Sequence, residues 1–191
     1  MRGLLGATLL MGAVLAAPAQ AGNAPLPFDV GGPFELTDQN GARRSQADPQ
    51  GHGQLLFFGY ATCPGICSAA MPMMADAVDR LADAGIPVTP VMITVDPERD
   101  RPGEMNAPLA RYHPDFIGLT GSEAELQAAY DAYSVERELA YVDPEYGPVY
   151  THGAFVYLLD AKGEVLSLFP PILSSDRVVE LARKYLGSEG S

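Results

Sequence analysis

The stretch GQLLFFGYATCPGICSAAMPMMADAVDRLADAG, residues 53–85, decides the fold. Residues 53–61 form a continuous apolar and aromatic run of the length typical of a buried strand. After the two cysteines, apolar residues recur at helical spacing from Met71 to Leu81, and Gly85 ends the segment. The stretch therefore predicts a strand–loop–helix unit with the only cysteines of the chain at the strand-to-helix join.

The segments on either side continue an α/β pattern. Upstream, residues 33–45 alternate around Asn40-Gly41, which is a strong signal for a hairpin. Downstream, residues 86–95 read as the next buried strand, followed by a turn, by a helix that ends near Tyr112 and by a short strand in DFIGLTG, residues 115–121.

The C-terminal part adds two helices and a hairpin. Ser122 and Glu125 form a capping-box pattern before a helix that runs to Tyr133. VERELAYV then alternates like a strand, EYGPVYTHG is interpreted as a loop, AFVYLLDAKGEVLSLF as a hairpin and SSDRVVELARKYLG as an amphipathic helix. Together these elements predict an α/β fold with a central mixed sheet flanked by helices.

The N-terminus has the pattern of a secretory leader. Residues 1–21 combine one positive charge, an apolar run and a small-x-small cleavage site, so we expect a signal peptide that is cleaved. An uncleaved membrane anchor is the alternative, but the apolar run is short for a bilayer that needs about 20 residues. Residues 22–33 are then a tether, residues 34–187 a single domain, and the mature chain a periplasmic protein without stable membrane insertion.

The net charge of −12 excludes several partners. A strongly acidic chain does not favour nucleic acid or an anionic membrane surface. Acidity suits solubility, docking on a basic partner or attraction of cations, and charge alone does not choose among these. Export would also place the cysteines where disulfides can form.

Cys63 and Cys67 are separated by three residues, one more than in a common dithiol redox motif. Cys67 lies near the first turn of the predicted helix, where free N–H groups favour a thiolate. A structural disulfide remains open, although closing so short a loop stabilises little. Two thiolates could instead share an ion, since soft sulfur ligands select Cu(I) and Zn(II), and a histidine as third ligand would accommodate Cu(II).

Three histidines are candidates for such a third ligand. His52 lies between glycines and is interpreted as an exposed turn residue, and His113 as a residue at a helix end. His152 precedes a buried strand, from which it could reach the strand-to-helix turn. Spacing alone leaves open whether it is a ligand, an acid/base group or an ordinary loop residue.

Three motifs together resemble the Sco/SenC family, thioredoxin-fold copper proteins of the periplasm and the mitochondrial intermembrane space. FFGYATCPGICS, residues 57–68, resembles the family's cysteine motif. VDPERD, residues 95–100, and HGAFVYLLDAKG, residues 152–163, resemble its two later signatures. The chain departs from the usual pattern at Gly65, where the family commonly has Asp, and at Ser68, where it commonly has Pro.

The resemblance implies a thioredoxin-like fold with an inserted β-hairpin and a copper site made by Cys63, Cys67 and His152. It also implies delivery of Cu(I) or Cu(II), or maintenance of recipient thiols, during assembly of a copper oxidase of the cytochrome c oxidase CuA type. The partners would be an oxidase subunit or another periplasmic copper chaperone, together with thiol–disulfide oxidoreductases. The alternative is that Cys63 and Cys67 make the protein itself a thiol–disulfide oxidoreductase.

Other residues near these motifs have simpler interpretations. Met71 and Met74 lie on the apolar helical stripe, so we expect core packing rather than copper ligation. Asp96 follows a central strand and would point toward the cysteine edge, which suggests a supporting role behind the metal ligands. For Asp100 we expect a turn or helix-cap role.

Overall fold

The computed structural model describes residues 26–27, 29–63 and 65–187. Its strands are β1 (Glu35–Asp38), β2 (Arg43–Ser45), β3 (Gly53–Gly59), β4 (Val88–Thr94), β5 (Ile117–Thr120), β6 (Arg137–Asp143), β7 (Gly147–His152), β8 (Val156–Leu159) and β9 (Val165–Phe169). Its helices are α1 (Cys67–Asp83), α2 (Asn106–Ala110), α3 (Glu123–Ala132) and α4 (Ser175–Leu186). The predicted signal peptide lies outside the described residues. Within them, no helix combines the length and apolar character needed to cross a membrane.

A seven-stranded mixed sheet forms the centre of the fold, in the order β2-β1-β5-β4-β3-β8-β9. Strands β3, β4 and β5 are parallel, whereas β1 and β8 join them antiparallel. Every residue of β3 is buried, because separate apolar clusters cover the two faces of the sheet. The predicted mixed sheet flanked by helices is confirmed.

Local signals in the sequence correctly located several elements. The hairpin turn between β1 and β2 uses Gly41 at φ +87°, and Asp38 Oδ1 accepts hydrogen bonds from the N–H groups of Asn40 and Ala42, each at 2.9 Å. At the start of α3, Ser122 and Glu125 form the reciprocal capping box. In both cases the contacts are local in sequence.

The interpretation of residues 145–153 as a loop was wrong, because most of that segment is strand β7. It pairs antiparallel with β6, and Arg137 lies opposite His152. Gly147 and Pro148 stand at the first two positions of the strand. Asp143 Oδ1 orders the preceding turn by accepting hydrogen bonds from two N–H groups. The β6–β7 hairpin forms a separate two-stranded sheet, and an inserted hairpin is what the family resemblance implied.

The carboxyl end of β3 leads through a short loop into α1. Val95, just after β4, donates its N–H to the Gly59 carbonyl at 2.7 Å, which continues the pairing of β3 and β4 to the sheet edge. At this edge of an open α/β sheet, loops and helix N-termini gather, and ligands commonly bind there.

Candidate metal centre

Three side chains with metal-ligating atoms meet at this edge of the sheet. One ligand atom each from Cys63, Cys67 and His152 lies within 4.8 Å of the others. Cys67 is buried, with 1% exposure, whereas Cys63 and His152 are partly buried. The structure therefore brings together the three residues named from the sequence.

The backbone places the two sulfur atoms close together. Cys63 lies in the turn after β3, where its N–H donates to the Tyr60 carbonyl at 3.1 Å, and Cys67 is the first residue of α1. Gly59, at the end of β3, leaves space for Cys67: a Cβ at this position would lie 3.1 Å from the Cys67 sulfur and 2.7 Å from the Phe57 ring. A glycine is thus needed where the sulfur approaches the strand.

The pKa values of the two cysteines are shifted in opposite directions. The pKa of Cys63 is lowered to about 4, chiefly by a hydrogen bond from the Cys67 thiol. Burial of Cys63 acts in the opposite direction. Hydrogen bonds from His152 and from the N–H groups of Cys67 and Gly65 lower the pKa further. The Gly65 N–H lies 3.4 Å from the Cys63 sulfur. The pKa of Cys67 is raised, because its thiol proton is shared with the Cys63 thiolate and because it is buried. Cys63 is therefore the thiolate of the pair.

His152 is held in an aromatic environment at the end of β7. Its ring packs edge-on against Phe57, with centroids 5.8 Å apart, and against Tyr60, with centroids 6.2 Å apart. Its Nδ1 lies 3.0 Å from the Gly153 carbonyl oxygen, which can only accept a hydrogen bond. Nδ1 therefore donates to that carbonyl, and Nε2 is the nitrogen left for Cys63; without its own proton, Nε2 can serve as a metal ligand.

Tyr60 is a component of the site for which the sequence suggested no role. It is buried, with 1% exposure, and its ring contacts Tyr150 of β7 edge-on as well as His152. Burial raises its pKa, and the negative charge of Cys63 and a hydrogen bond to that sulfur act in the same direction. Its hydroxyl thus stays protonated and can donate to the thiolate.

Asp100 has a larger role than the predicted turn or cap. Its Oδ2 accepts from the Ala61 N–H at 3.0 Å and from the Thr94 hydroxyl at 2.7 Å, and the residue is 3% exposed. Since Ala61 lies just before Cys63, the carboxyl group ties the cysteine loop to the end of β4. A contact between residues so far apart in sequence leaves no local signal from which it could have been found.

Asp96 also lies at this edge, but it is not one of the three clustered residues. Its N–H donates to the Thr94 hydroxyl at 2.9 Å, and its Oδ2 forms a short ion pair with Arg99. Any influence of Asp96 on His152 therefore passes through other residues.

The remaining histidines lie elsewhere. His113 is buried, and its Nε2 is 3.1 Å from Asp79 Oδ1, so the ring has a structural contact of its own. His52 precedes β3 and is partly exposed. The buried Met71 and Met74 belong to the core cluster on the α1 face of the sheet, which confirms the predicted packing role.

The two departures from the family pattern contact each other. The Ser68 hydroxyl donates to the Gly65 carbonyl at 2.7 Å, and the Ser68 N–H donates to the same oxygen at 3.1 Å. Ser68 thus orders the loop between the cysteines by bonding to its carbonyl, rather than by capping the free N–H groups of α1.

The donor set fits a soft metal ion. Ligands that share one ion at 2.0–2.3 Å lie roughly 3.5–4 Å from each other, so a spread of at most 4.8 Å requires only a small closure. Two sulfurs and one imidazole favour copper or zinc over magnesium or calcium.

Comparisons with known proteins point to one family. The SCO1/SenC family model matches residues 23–187. An SCO2-like protein of Rickettsia conorii is 36% identical over 156 residues, covering 81% of this chain and 76% of that protein.

Two solved structures described as ScoI with copper bound are also similar. For Arabidopsis thaliana ScoI the TM-score is 0.77 at 28% identity, covering 83% of this chain and 99% of that one. For Bradyrhizobium japonicum ScoI it is 0.72 at 30% identity, covering 82% and 99%. The predicted thioredoxin-like architecture is confirmed, and the chain belongs to the SCO1/SenC family.

Proposed function

We propose that this protein binds copper through Cys63, Cys67 and His152 and delivers it during assembly of a copper oxidase. The observation that carries the proposal is the convergence of these three donor atoms within 4.8 Å at the edge of the sheet. Copper-bound ScoI structures share the fold, which supports copper rather than zinc as the cargo.

The protein's own groups account for the binding step. Cys63 supplies a thiolate without a large proton cost because its pKa is low, whereas Cys67 must release its proton as the ion binds. His152 contributes Nε2 while its Nδ1 stays bonded to the Gly153 carbonyl. Two sulfurs suit Cu(I), and the imidazole makes Cu(II) acceptable, so the donor set accommodates both oxidation states.

Release is controlled by the state of the thiols. Thiol–disulfide exchange with an oxidised partner protein would convert Cys63 and Cys67 to a disulfide and reduce the partner's disulfide to two thiols. This exchange removes both thiolates, so copper loading and redox state form one switch. We further propose a periplasmic location after cleavage of residues 1–21, and a CuA-type subunit of cytochrome c oxidase or another copper chaperone as partner. The net charge of −12 favours a partner with a basic docking surface.

A copper titration with matched histidine variants tests the binding proposal. The reduced protein should bind one copper per chain, and with Cu(II) it should show a thiolate-to-metal charge-transfer band. Cys63→Ala, Cys67→Ala and His152→Ala should each weaken binding by at least an order of magnitude. His52→Ala, the same substitution outside the cluster, should bind like the parent.

Two results would count against copper delivery. One is equal copper affinity in the parent and in His152→Ala. The other is failure of the copper-loaded protein to metallate an oxidase domain with a CuA site, under conditions in which free Cu(I) is held by a competing chelator.

The second candidate function is thiol–disulfide exchange, which the asymmetry of the cysteines favours. Cys63 is the more accessible thiolate, and Cys67 is a buried thiol beside it. Cys63 would attack a substrate disulfide, and Cys67 would resolve the mixed disulfide, leaving reduced substrate and a Cys63–Cys67 disulfide that an external thiol must reduce. Rapid turnover of a disulfide-bonded protein such as insulin, combined with weak copper binding, would favour this function.

A further inference from the structure

The hairpin that carries His152 is not hydrogen-bonded into the main sheet. Strands β6 and β7 pair only with each other in the described part of the chain. Two of the clustered side chains thus belong to the β3–α1 unit, and the third belongs to a separately paired hairpin. The distance from His152 to the sulfurs therefore depends on the side chains that dock the hairpin.

Arg99, in the loop after β4, makes several of these docking contacts. Its guanidinium donates to the Pro148 carbonyl at 2.6 Å and, through a shorter contact, to the Tyr146 carbonyl. Both carbonyls lie where the hairpin turn enters β7, the strand that ends at His152. The same guanidinium lies over the Tyr60 ring, 5.4 Å from its centroid. One side chain thus joins the hairpin to the cysteine side of the site.

Asp96 explains why the guanidinium points in this direction. Its carboxylate is 1% exposed, and Oδ2 accepts from Arg99 Nε. Its Oδ1 has no hydrogen-bond partner among the described residues, so Arg99 provides the main compensation for a buried charge. A planar guanidinium held at one edge by a carboxylate presents its other N–H groups in a fixed direction.

Arg137 makes a matching contact at the other end of the hairpin. It stands opposite His152 in the register of β6 and β7, and its Nε donates to the Val95 carbonyl. Its guanidinium also lies over the Tyr150 ring, 4.6 Å from the centroid. The hairpin is therefore fastened at both ends to the segment that follows β4.

We infer that Arg99, oriented by Asp96, is a positioning residue that holds the β6–β7 hairpin so that His152 reaches Cys63 and Cys67. The inference rests on the proposed copper site and adds a specific support for its imidazole ligand. Without Arg99 the cysteine pair stays intact, but His152 reaches the two sulfurs only part of the time.

Three variants test this inference. Arg99→Gln removes the guanidinium but leaves the buried charge of Asp96, which could impair folding. The double variant Asp96→Asn with Arg99→Gln removes both charges, so its fold should be close to parental in stability while the turn end of the hairpin still loses its contacts with Arg99. Arg101→Gln makes the same charge change two positions away, on an exposed side chain, and serves as the matched control.

Hydrogen exchange of the metal-free, reduced protein gives the first measurement. In Arg99→Gln and in the double variant, we expect the amides of β7 to exchange at least tenfold faster than in the parent. Amides of β3 and α1 should keep their protection. Arg101→Gln should match the parent throughout. Unchanged protection of β7 in the double variant would overturn the inference.

The Cu(II) complex gives a readout that a general loss of stability would not produce. In the double variant, we expect the nitrogen hyperfine signal of His152 to weaken toward that of His152→Ala, while the thiolate charge-transfer band persists. A parental nitrogen signal would overturn the inference even if β7 exchanged faster. If the parent itself bound no copper, the proposed function would fail, and hydrogen exchange would still decide whether Arg99 holds the hairpin.

Discussion

Replacing Asp100 with asparagine is expected to stabilise the protein at neutral pH and to have much less effect at pH 4. Burial raises the pKa of Asp100 from its ordinary value of 3.8 to about 6, although hydrogen bonds from Thr94 and Ala61 act in the opposite direction. A raised pKa means that the folded state favours the neutral carboxyl group. The contribution of this group to stability is therefore greatest below pH 3.8 and is lost as the pH rises through about 6.

The size of the effect follows from the shift. A difference of about two pH units at 1.36 kcal/mol per unit corresponds to about 3 kcal/mol at pH 7 and above. The asparagine carbonyl can accept the same two hydrogen bonds without carrying a charge. The free energy of unfolding of Asp100→Asn should thus exceed that of the parent by up to about 3 kcal/mol at pH 7.5, and by less than about 1 kcal/mol at pH 4.

Urea denaturation of the reduced, metal-free protein between pH 4 and pH 8 measures this difference. Glu98→Gln removes one negative charge from an exposed position in the same loop, so its effect should be small and nearly independent of pH. The reasoning would be refuted if Asp100→Asn were less stable than the parent at pH 7.5, or if the difference between the two were the same at every pH.

Three further predictions concern the site and the fold. Gly59→Ala should destabilise the protein by about 1–3 kcal/mol in thermal unfolding and weaken copper binding, because the added Cβ would lie 2.7 Å from the Phe57 ring. Gly187→Ala is the control and should have little effect, because a Cβ there has no atom within 4 Å. Iodoacetamide should modify Cys63 before the buried Cys67, and the rate should be nearly constant from pH 6 to pH 8, because a pKa of about 4 leaves the thiolate fully formed. Mass spectrometry measures this rate, and a tenfold rise in the rate per pH unit would contradict the prediction. Ser122→Ala should lower the free energy of unfolding by about 0.5–2 kcal/mol in chemical denaturation, because it breaks the capping box. Ser174→Ala should lower it by less, since the Ser174 side chain makes no capping hydrogen bond. Equal losses in the two variants would argue against the capping contribution.

Elements with local signals were predictable from the sequence. Asn40-Gly41 specifies its hairpin turn through backbone geometry, and Ser122 specifies the start of α3 through contacts three residues away. The cysteine loop was placed at the strand-to-helix join because a buried run and an amphipathic stripe adjoin there. Each of these signals lies within a few residues of the structure it predicts.

The supports of the site were not predictable, since they depend on contacts between distant segments. Asp100 looked like a turn residue but binds the cysteine loop, and Arg99 had no assigned role but contacts the hairpin. Strand β7 was interpreted as a loop, and its pairing with β6 became visible only in the structure. For His152, spacing left several roles open, and the family resemblance alone singled it out.

The separate pairing of the hairpin has a consequence for folding. Cys63 and Cys67 share one loop, whereas His152 comes from a strand much later in the chain. Contacts between distant segments carry a larger entropic cost of loop closure, so they form later than local ones. We therefore expect the two thiols of a newly made chain to come together before the imidazole joins them. During that interval the two thiols can be oxidised, or can bind zinc without the histidine. Access to reductant and copper at this early stage would then determine how much of the protein matures correctly.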